Sequence, residues 1–526
     1  MKAVLDRQLP AATDAAREDR AAAVVPAEPP ASLLDQLVQA TAAPDAGPAQ
    51  RLAEFLQEPS PAVALRRWLA WTGRTAAEVD REQLARQLNR DVAQLDGVLN
   101  EQLNAILHHP RLQKLEAAWR GLRYLVEQQG EAEGVKIRVL SVRWDELARD
   151  AERAIEFDQS QLFRKVYEDE FGQPGGEPFS VLLGDYEIRH RPSREHPIDD
   201  VSVLTAISHV AAAAFAPFVA AAHPALFELE CLAELHQPLE HAKTFEQLDY
   251  LKWRAFRDTE ESRFTALTLP RVLMRLPYRD DGSRQDRFRF QEDCSGPDAG
   301  KYLWGNAAFA LGAVLIRAFQ RSGWLSDIRG VRRGVEGGGL VPGLCAASTA
   351  TDKRGLIPTG STDAVITDRM EPELSNLGFL PLCRCQGTDR SGFYGAATLQ
   401  KAKHYDDPAA TANARLSAML QYVLCVSRFA HYLKVIARDK IGSFVEAEEC
   451  ERYLHDWLQG YVTADADASP ETKARCPLRQ ADVRVRLHPD KPGSYVCVVH
   501  LWPHFQLDEL STSIRLTAEL SGSRVK

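Results

Sequence analysis

Three short stretches of this sequence carry the residue types that bind phosphates, bind metals or transfer protons. Gly334-Val-Glu-Gly-Gly-Gly339 is glycine-rich enough to wrap around a phosphate. It lacks the Lys-Ser/Thr pair of a P-loop and the spacing of a dinucleotide-binding fingerprint. We therefore interpret it as a structural turn within the glycine-rich loop Gly330–Gly343.

The cysteine and histidine candidates are equally incomplete. Cys383-Arg-Cys385 could begin a thiolate metal site, but no second pair follows at the spacing of a zinc finger. His404-Tyr-Asp-Asp407 offers an acid and a base, but the chain contains no Gly-x-Ser-x-Gly nucleophile motif. Because no set combines a nucleophile, a base and an orienting group, we predict a protein that is not an enzyme and holds no metal or cofactor.

One group of cations has helical spacing. His431, Lys434 and Arg438 recur at i, i+3 and i+7, with Arg428 nearby. Cations near the carboxyl end of a helix favour its dipole. A basic stripe could equally face an acidic partner, and the pattern alone leaves both interpretations open.

The helix that carries these cations dominates the second half of the chain. Asp407 before Pro408 is typical of an N-cap followed by proline at the first helical position. No glycine or proline occurs from Ala409 to Lys440, which predicts one helix of about 30 residues, roughly 45 Å long. A capping box, Ser443-Phe-Val-Glu446, then predicts a second helix that ends near Gly460.

The carboxyl-terminal residues alternate as strands do. Val483 and Val485 interleave with arginines, a turn follows, and a second strand predicted over Tyr495–Leu501 carries Val499. A third strand around Thr512–Leu520 carries Ile514 and Leu516. This antiparallel unit either packs on the core or offers its open edges to strands of another chain.

The amino-terminal residues differ in composition from the rest of the chain. Residues 1–31 have the composition of a disordered segment, and a short apolar island follows. In this island Ser32 can cap a helix of two turns, whose apolar face is Leu33, Leu34, Leu37 and Val38. We favour a peptide helix for a partner over one that docks on its own core, because so short a helix is marginal alone.

Helices and strands are predicted between the island and the central helix. Arg51–Gln129 indicates helices with two apolar stripes, Val135–Val142 alternates as a strand, and Val201–Phe215 indicates an apolar helix. Net charge is −9 and nine cysteines show no repeated spacing, so we expect a cytoplasmic protein that does not coat nucleic acid. We expect neither a signal peptide nor insertion into a membrane, since no apolar run is long enough.

Ordered motifs along the chain resemble the large subunit of the type VI secretion contractile sheath, the TssC/VipB family. They extend the resemblance from about Ser32 to Leu520. The matching stretches are Leu103–Leu122, Leu183–Glu187, Ala213–Phe218, Phe256–Arg263, Leu269–Arg271, Tyr302–Ala307, Val335–Leu340, Ala410–Leu416, Arg428–Lys434, Arg438–Phe444 and Pro503–Leu507.

The resemblance implies a fold and a domain organisation. The fold class is α/β, mixed α+β, with a contractile-tail-sheath-like core, long central helices and a carboxyl-terminal antiparallel strand unit. A tail (1–48) would carry an ATPase-recognition helix (32–41), and a first sheath domain (49–400) would entwine its helices (50–130) with the small subunit. A second sheath domain (401–526) would contain the long helices (408–461) and the inter-subunit strands (481–520).

The resemblance also implies a function and a set of partners. Heterodimers with the small sheath subunit (TssB/VipA-like) would form a helical polymer around an Hcp inner tube and contract to propel that tube. A ClpV-type ATPase and a baseplate would be further partners, all in the bacterial cytoplasm. His431, Lys434 and Arg438 would then be candidates for contact with the tube.

Two stretches depart from the family pattern. Arg329-Gly-Val-Arg-Arg-Gly-Val-Glu336 replaces the usual Arg-Gly-Val-Glu, and Ala346–Thr362 has no clear counterpart. A specialised paralogue that caps or anchors the assembly is therefore an alternative, and an enzyme with an unrecognised site is a second one.

Overall fold

A computed structural model describes residues 48–520, except for gaps at 72, 74–79, 132–133, 174, 237–240, 284–287, 296–297, 333, 348–359, 386–387, 389, 440–446, 466, 488–494 and 505–513. The chain folds as two units, one up to Leu95 and one from Asp96. The described α-helices of four or more residues are α1 Pro48–Leu56, α2 Pro61–Trp71, α3 Arg81–Leu107, α4 Pro110–Gln129, α5 Trp144–Arg153, α6 Asp200–Ala214, α7 His241–Thr244, α8 Leu251–Arg257, α9 Ala308–Ser322, α10 Met370–Asn376, α11 Pro408–Ser417, α12 Leu420–Asp439, α13 Ala447–Gln459 and α14 Pro470–Arg475.

The strands form three sheets. The bounds are β1 Leu182–Ile188, β2 Phe218–Ala222, β3 Thr265–Leu269, β4 Val272–Leu273, β5 Trp304–Gly305, β6 Phe379–Arg384, β7 Ser391–Phe393, β8 Leu478–Leu487, β9 Tyr495–Pro503 and β10 Ile514–Leu520. The sheet orders are β1-β2-β3-β6-β7, β4-β5 and β10-β9-β8. Helices and sheets are mixed, so the predicted α/β fold class is confirmed.

The central sheet is the core of the second unit. The neighbouring pairs β1–β2, β2–β3 and β3–β6 are parallel, and β7 is antiparallel to β6. Every residue of β2 and β3 is buried, as expected for strands covered on both faces. One apolar cluster joins α6 to Trp253 and Phe379, and a second joins α9 to Val219 and Leu380.

The carboxyl-terminal sheet has its own apolar cluster. Val483, Val485 and Val499 pack there with Phe429 and Leu433 of α12 and with Leu454 and Leu458 of α13. Leu420 and Leu424, at the other end of α12, belong instead to the cluster beside the central sheet. Helix α12 therefore joins the two cores.

The long central helix differs from its prediction. Asp407 is the N-cap, because its side chain accepts a hydrogen bond from the Ala409 N–H. The helix is interrupted between α11 and α12, where Thr398 Oγ1 donates to the Ala418 carbonyl at 2.6 Å and the Leu420 N–H donates to Ala396 at 2.8 Å. The prediction of one unbroken helix is wrong, because a distant segment takes up the backbone groups that would have continued it.

Two other local predictions have different outcomes. The apolar helix predicted over Val201–Phe215 is confirmed as α6. The strand predicted over Val135–Val142 is wrong, because this stretch forms no strand and pairs with none in the described part of the chain. The capping box Ser443–Glu446 lies outside the described residues. No helix among those described is both long and apolar enough to cross a membrane.

Candidate assembly surfaces

The carboxyl-terminal sheet is antiparallel, and the side chains on one of its two faces pack against the core. β8 pairs with β9 from Val483↔Val499 to Leu487↔Tyr495, and β9 pairs with β10 from Leu501↔Ile514 to Tyr495↔Leu520. The strands predicted from the alternation of apolar and polar residues are therefore confirmed. Val483, Val485 and Val499 are buried against α12 and α13. Their side chains hold the sheet on this chain's own core, so a neighbouring chain would have to use the strand edges.

The two outer edges of this sheet lack strand partners among the described residues. The amino-terminal end of β8 is covered, because the Leu478 N–H donates to Tyr461 at 3.2 Å and its carbonyl accepts from Thr463 at 2.9 Å. Further along, the Val485 N–H donates to Glu451 Oε2 at 2.8 Å. The Glu451 carboxylate therefore accepts a hydrogen bond from an N–H group that an added strand would otherwise use.

β10 forms the opposite edge. Among the described strands it pairs only with β9. Ile514 and Leu516 lie in β10 and Tyr495 begins β9, but the side chains of these three residues lie outside the described part of the structure. Their assignment as inter-subunit residues remains a prediction.

Helix α4 has two apolar faces, of which only one is covered. Ala117, Gly121 and Leu125 are buried, and a Cβ at Gly121 would lie 2.4 Å from the Phe309 ring of α9. On the other face Leu115, Trp119 and Val126 are exposed, with Trp119 at 64%. Helix α3 buries none of its residues, and its apolar side chains Val92, Leu95, Leu99 and Ile106 are exposed. These stripes are surfaces on which partner helices can pack.

The structure does not present His431 and Lys434 as an exposed stripe. His431 is 2% exposed and its Nε2 lies 2.9 Å from the Ala214 carbonyl. Burial lowers the pKa of His431 to about 4, so it is neutral near pH 7. A buried neutral histidine presents no charge at the surface of this chain, and the assignment of His431 as a tube contact stays a prediction.

Lys434 is half-buried among aromatic rings. Its Nζ lies 5.0 Å, 4.7 Å and 4.9 Å from the ring centres of Tyr167, Phe171 and Phe215. Burial lowers the pKa of Lys434 to about 8, and the ring faces favour its charged form. Lys434 therefore anchors α12 to the segment that contains Tyr167 and Phe171, and its assignment as a tube contact stays a prediction. The side chain of Arg438 lies outside the described residues.

The glycine-rich loop packs against the strand that ends at Phe393. Two of its backbone donors are used within the fold, since Gly330 donates to Phe393 at 2.9 Å and Gly339 donates to Gly330 at 2.7 Å. A Cβ at Gly339 would lie 1.8 Å from the Phe393 carbonyl oxygen. Close approach of two backbones explains the glycine there, without any phosphate.

The cysteine pair does not resemble a metal site. Cys383 and Cys385 are both buried, and burial raises the pKa of the Cys383 thiol to about 12. A thiol that stays protonated is a poor metal ligand.

Sequence analysis missed a buried ionic cluster in the second unit. Arg275 donates to both carboxylate oxygens of Glu292 and to Glu116 Oε1 at 2.8 Å. Potential ligand atoms of His108, Glu292 and Cys294 lie within 4.8 Å of one another. Because Arg275 already occupies Glu292, and burial raises the pKa of Cys294 to about 11, we interpret this cluster as an ion pair that ties α4 to the segment after β4.

Sequence analysis also missed an open groove beside β1, because its walls come from at least five separate stretches of the chain. The predicted ATPase-recognition helix, with Leu33, Leu34, Leu37 and Val38, lies outside the described residues.

Comparison with known proteins places the whole arrangement in one family. Residues 89–400 match the model of the EvpB/VC_A0108 tail sheath N-terminal domain. Residues 409–520 match the EvpB/VC_A0108 tail sheath gpW/gp25-like domain. The type VI secretion system sheath protein TssC1 of Pseudomonas aeruginosa is 42% identical over 461 residues, which cover 86% of this chain and 91% of that relative. The chain therefore belongs to the TssC/VipB family and is a structural large subunit of a type VI secretion contractile sheath.

Proposed function

We propose that this chain polymerises with the small sheath subunit (TssB/VipA-like) around an inner tube of Hcp rings, and that contraction of the polymer drives the tube outward. The observation that carries the proposal is the carboxyl-terminal sheet, whose side chains are fixed on their own core while its outer edges lack strand partners among the described residues. Backbone pairing at such an edge binds a neighbour with little dependence on side chains.

Strand pairing at the edge of a sheet suits an assembly whose subunits rotate against one another. A strand that stays hydrogen-bonded in a neighbour's sheet keeps the two chains linked while other contacts break and reform. An open helical polymer requires interfaces that differ on the two partners, because an interface of identical patches closes into a dimer. The work of contraction would come from those exchanged contacts, and no catalytic step in this chain is needed.

The exposed stripes of α3 and α4 are the surfaces we propose for the small subunit. Their exposed apolar residues recur three, four or seven positions apart, the spacing at which one helix packs against another. An Hcp tube and a baseplate would be further partners, and we propose the bacterial cytoplasm as the place of assembly.

Co-expression with the small subunit tests this function. We expect hollow helical tubes in negative-stain electron micrographs of the purified pair. A single ring or a capped end would instead favour the specialised paralogue that the departures at 329–336 and 346–362 suggest. A soluble monomer that never associates with the small subunit would contradict the proposal.

The island at 32–41 is our proposed binding site for a ClpV-type ATPase. Replacing Leu34 and Leu37 by Asp should abolish binding of the ATPase to contracted tubes, because it removes the apolar face. Gln36→Asp with Gln39→Asp adds the same charge to the same stretch and should bind nearly as well as the unchanged chain. Co-sedimentation of the ATPase with tubes measures both, and equal binding by the two double variants would refute this site.

A further inference from the structure

The connection between helices α3 and α4 is short and lies beside a segment from a distant part of the chain. Helix α3 ends at Leu107 and α4 begins at Pro110. Short helix–helix connections adopt a few characteristic conformations, so contacts elsewhere must select one of them. Those contacts come from residues 276–301, which follow β4 and are called the bridging segment below. The second half of α3, from Asp96, belongs to the same unit as α4 and this segment.

Two asparagines of α3 bind the backbone of the bridging segment. Asn100 Nδ2 donates to the Arg289 carbonyl at 3.0 Å, and Asn100 Oδ1 accepts from the Gln291 N–H at 3.4 Å. One turn later, Asn104 Oδ1 accepts from the Asp293 N–H at 2.9 Å. Residues four apart lie on one face of a helix, and an amide side chain carries both a donor and an acceptor. The two side chains therefore bind three backbone groups, one at every second residue of the segment.

Helix α4 binds the same segment from its own side. Gln113 Nε2 donates to the Gly300 carbonyl at 2.8 Å, and the Arg120 guanidinium donates to Tyr278 Oη at 3.1 Å. Glu116, which lies between them in sequence, is part of the ionic cluster that ties α4 to this region. Positions 113, 116 and 120 lie on one face of a helix. Both helices therefore present one face to the bridging segment.

Hydrogen bonds contribute more to the position of α3 than apolar packing does. Helix α3 buries none of its residues, and none of them belongs to the four apolar clusters of the described chain. Arg289, Gln291 and Asp293, which the two asparagines bind, are themselves exposed. Removal of the two amides should therefore release α3 without opening the core of the unit.

The face that binds the segment determines where each exposed apolar stripe points. On α3 the exposed Leu99 directly precedes Asn100, and on α4 the exposed Trp119 directly precedes Arg120. Successive residues of a helix lie about 100° apart around its axis. The stripe and the binding face are therefore adjacent on each helix, and a helix that turns or tilts away from the segment carries its stripe with it.

We propose that Asn100 and Asn104 are positioning residues for the small sheath subunit. By binding residues 289–293 they hold the second half of α3 at one angle to α4, so that the exposed stripes of the two helices form a single surface for the partner. A preorganised surface loses less conformational freedom on binding than one that must first be ordered. This inference rests on the proposed function, because it takes the two stripes as the surface for the small subunit.

Hydrogen–deuterium exchange of the full-length chain tests whether the two amides hold the segment. In Asn100→Ala the Gln291 amide should exchange about tenfold faster, and in Asn104→Ala the Asp293 amide should, because each loses its acceptor. Strands β2 and β3 should exchange at unchanged rates in both variants. Faster exchange of β2 and β3 would mean that the asparagines hold the core itself, and the positioning role would be wrong.

Recovery of the co-expressed small subunit in pull-down measures the effect on binding. The double variant Asn100→Ala with Asn104→Ala should recover about tenfold less small subunit than the unchanged chain. Alanine is a better helix former than asparagine, so this loss would not come from a weaker α3. As the matched control, Glu101→Ala with Gln102→Ala removes two polar side chains from the same turn but from other faces of the helix. This control should recover as much small subunit as the unchanged chain.

Aspartate variants separate the acceptor from the donor of each amide. The bond from the Asp293 N–H needs only an acceptor, so Asn104→Asp should keep most of the binding. Asn100 also donates to the Arg289 carbonyl, which a carboxylate cannot do, so Asn100→Asp should lose about as much binding as Asn100→Ala. Equal loss in the two aspartate variants, or the reverse order, would contradict the positioning role.

The same pull-down distinguishes this inference from the proposed function. Full recovery of the small subunit by the double alanine variant would overturn the positioning role and leave the proposed function intact. Failure of the unchanged chain to recover the small subunit would contradict the proposed function, and this inference with it.

Discussion

The central and carboxyl-terminal sheets of the second unit are covered in different ways. Strands β2 and β3 of the central sheet are buried at every position, between two apolar clusters. The carboxyl-terminal sheet buries one set of side chains, while Arg484 and Arg486 on β8 are exposed. A sheet covered on both faces is held by its own chain, whereas a sheet covered on one face can exchange neighbours at its edges at lower cost. We therefore propose that the first sheet serves stability and the second serves assembly.

The largest expected effect is on assembly. Deleting residues 481–526 removes most of β8 and all of β9 and β10, and should abolish tubes in electron micrographs of the co-expressed pair. The central sheet should remain folded, because its two apolar clusters contain no residue of the deleted segment. Protease-resistant fragments that span residues 96–400 would show this. Tubes of normal length from the truncated chain would contradict the division of roles.

Large-to-small substitutions should affect stability differently in the two sheets. Phe379 is fully buried, with ring centres 4.9 Å and 5.8 Å from those of Phe227 and Phe245. Phe379→Ala should lower the free energy of unfolding by about 3–5 kcal/mol, through lost burial and a cavity. Val499→Ala in β9 should cost about 2 kcal/mol.

Urea denaturation and regional hydrogen exchange measure the two variants together. We expect Val499→Ala to speed exchange in β8–β10 and to leave β2 and β3 unchanged. Faster exchange of β2 and β3 in Val499→Ala would mean that the two sheets unfold as one unit, which would weaken the comparison.

His431 lies on α12, the helix that joins the two cores, and should make the packing around this helix sensitive to acid. Its pKa is lowered to about 4, so between pH 6.5 and 4 the unfolded chain binds a proton that the folded chain does not. Stability should therefore fall as the pH falls through this window, by about 2 kcal/mol at pH 5 from this residue. The free energy of unfolding of His431→Phe should change less between pH 7.5 and pH 5 than that of the unchanged chain. His190 and His223, whose pKa values are also lowered to about 4, would supply the remaining dependence. An identical pH dependence in both proteins would show that His431 is not held neutral.

The smallest expected effect concerns the covered donor on β8. Glu451→Ala removes the carboxylate that accepts from the Val485 N–H and should destabilise the carboxyl-terminal sheet by about 1 kcal/mol. In the free chain the Val485 amide should exchange faster in this variant, and Glu448→Ala, an exposed residue of the same helix, should leave it unchanged. An unchanged Val485 amide in Glu451→Ala would show that this edge is protected in another way.

Local patterns allowed several elements to be predicted from the sequence. The N-cap at Asp407, helix α6 and the alternating strands β8 and β9 follow from side-chain periodicity and capping, which involve residues close together in the chain. The motifs quoted for the family resemblance indicated the sheath fold for the same reason, because each is a short contiguous stretch.

Features that depend on distant residues could not be predicted in this way. The break before Leu420 is caused by backbone and side-chain groups of residues 396–398, and no local signal marks it. The spacing of His431 and Lys434 predicts that the two residues share one face of the helix. It does not show whether that face is buried or exposed. That side is covered by Phe215 and by Phe171, more than 200 positions earlier in the chain. The groove beside β1 requires at least five separate stretches to meet. The strand predicted at 135–142 has no neighbour to pair with in the described structure.

Electron cryomicroscopy of the assembled tubes, at a resolution that shows strand pairing, tests the central claim most directly. The account predicts that the outer edge of β8 or of β10 is hydrogen-bonded to a strand of a neighbouring chain. A three-stranded sheet with both outer edges still unpaired inside well-formed tubes would contradict it.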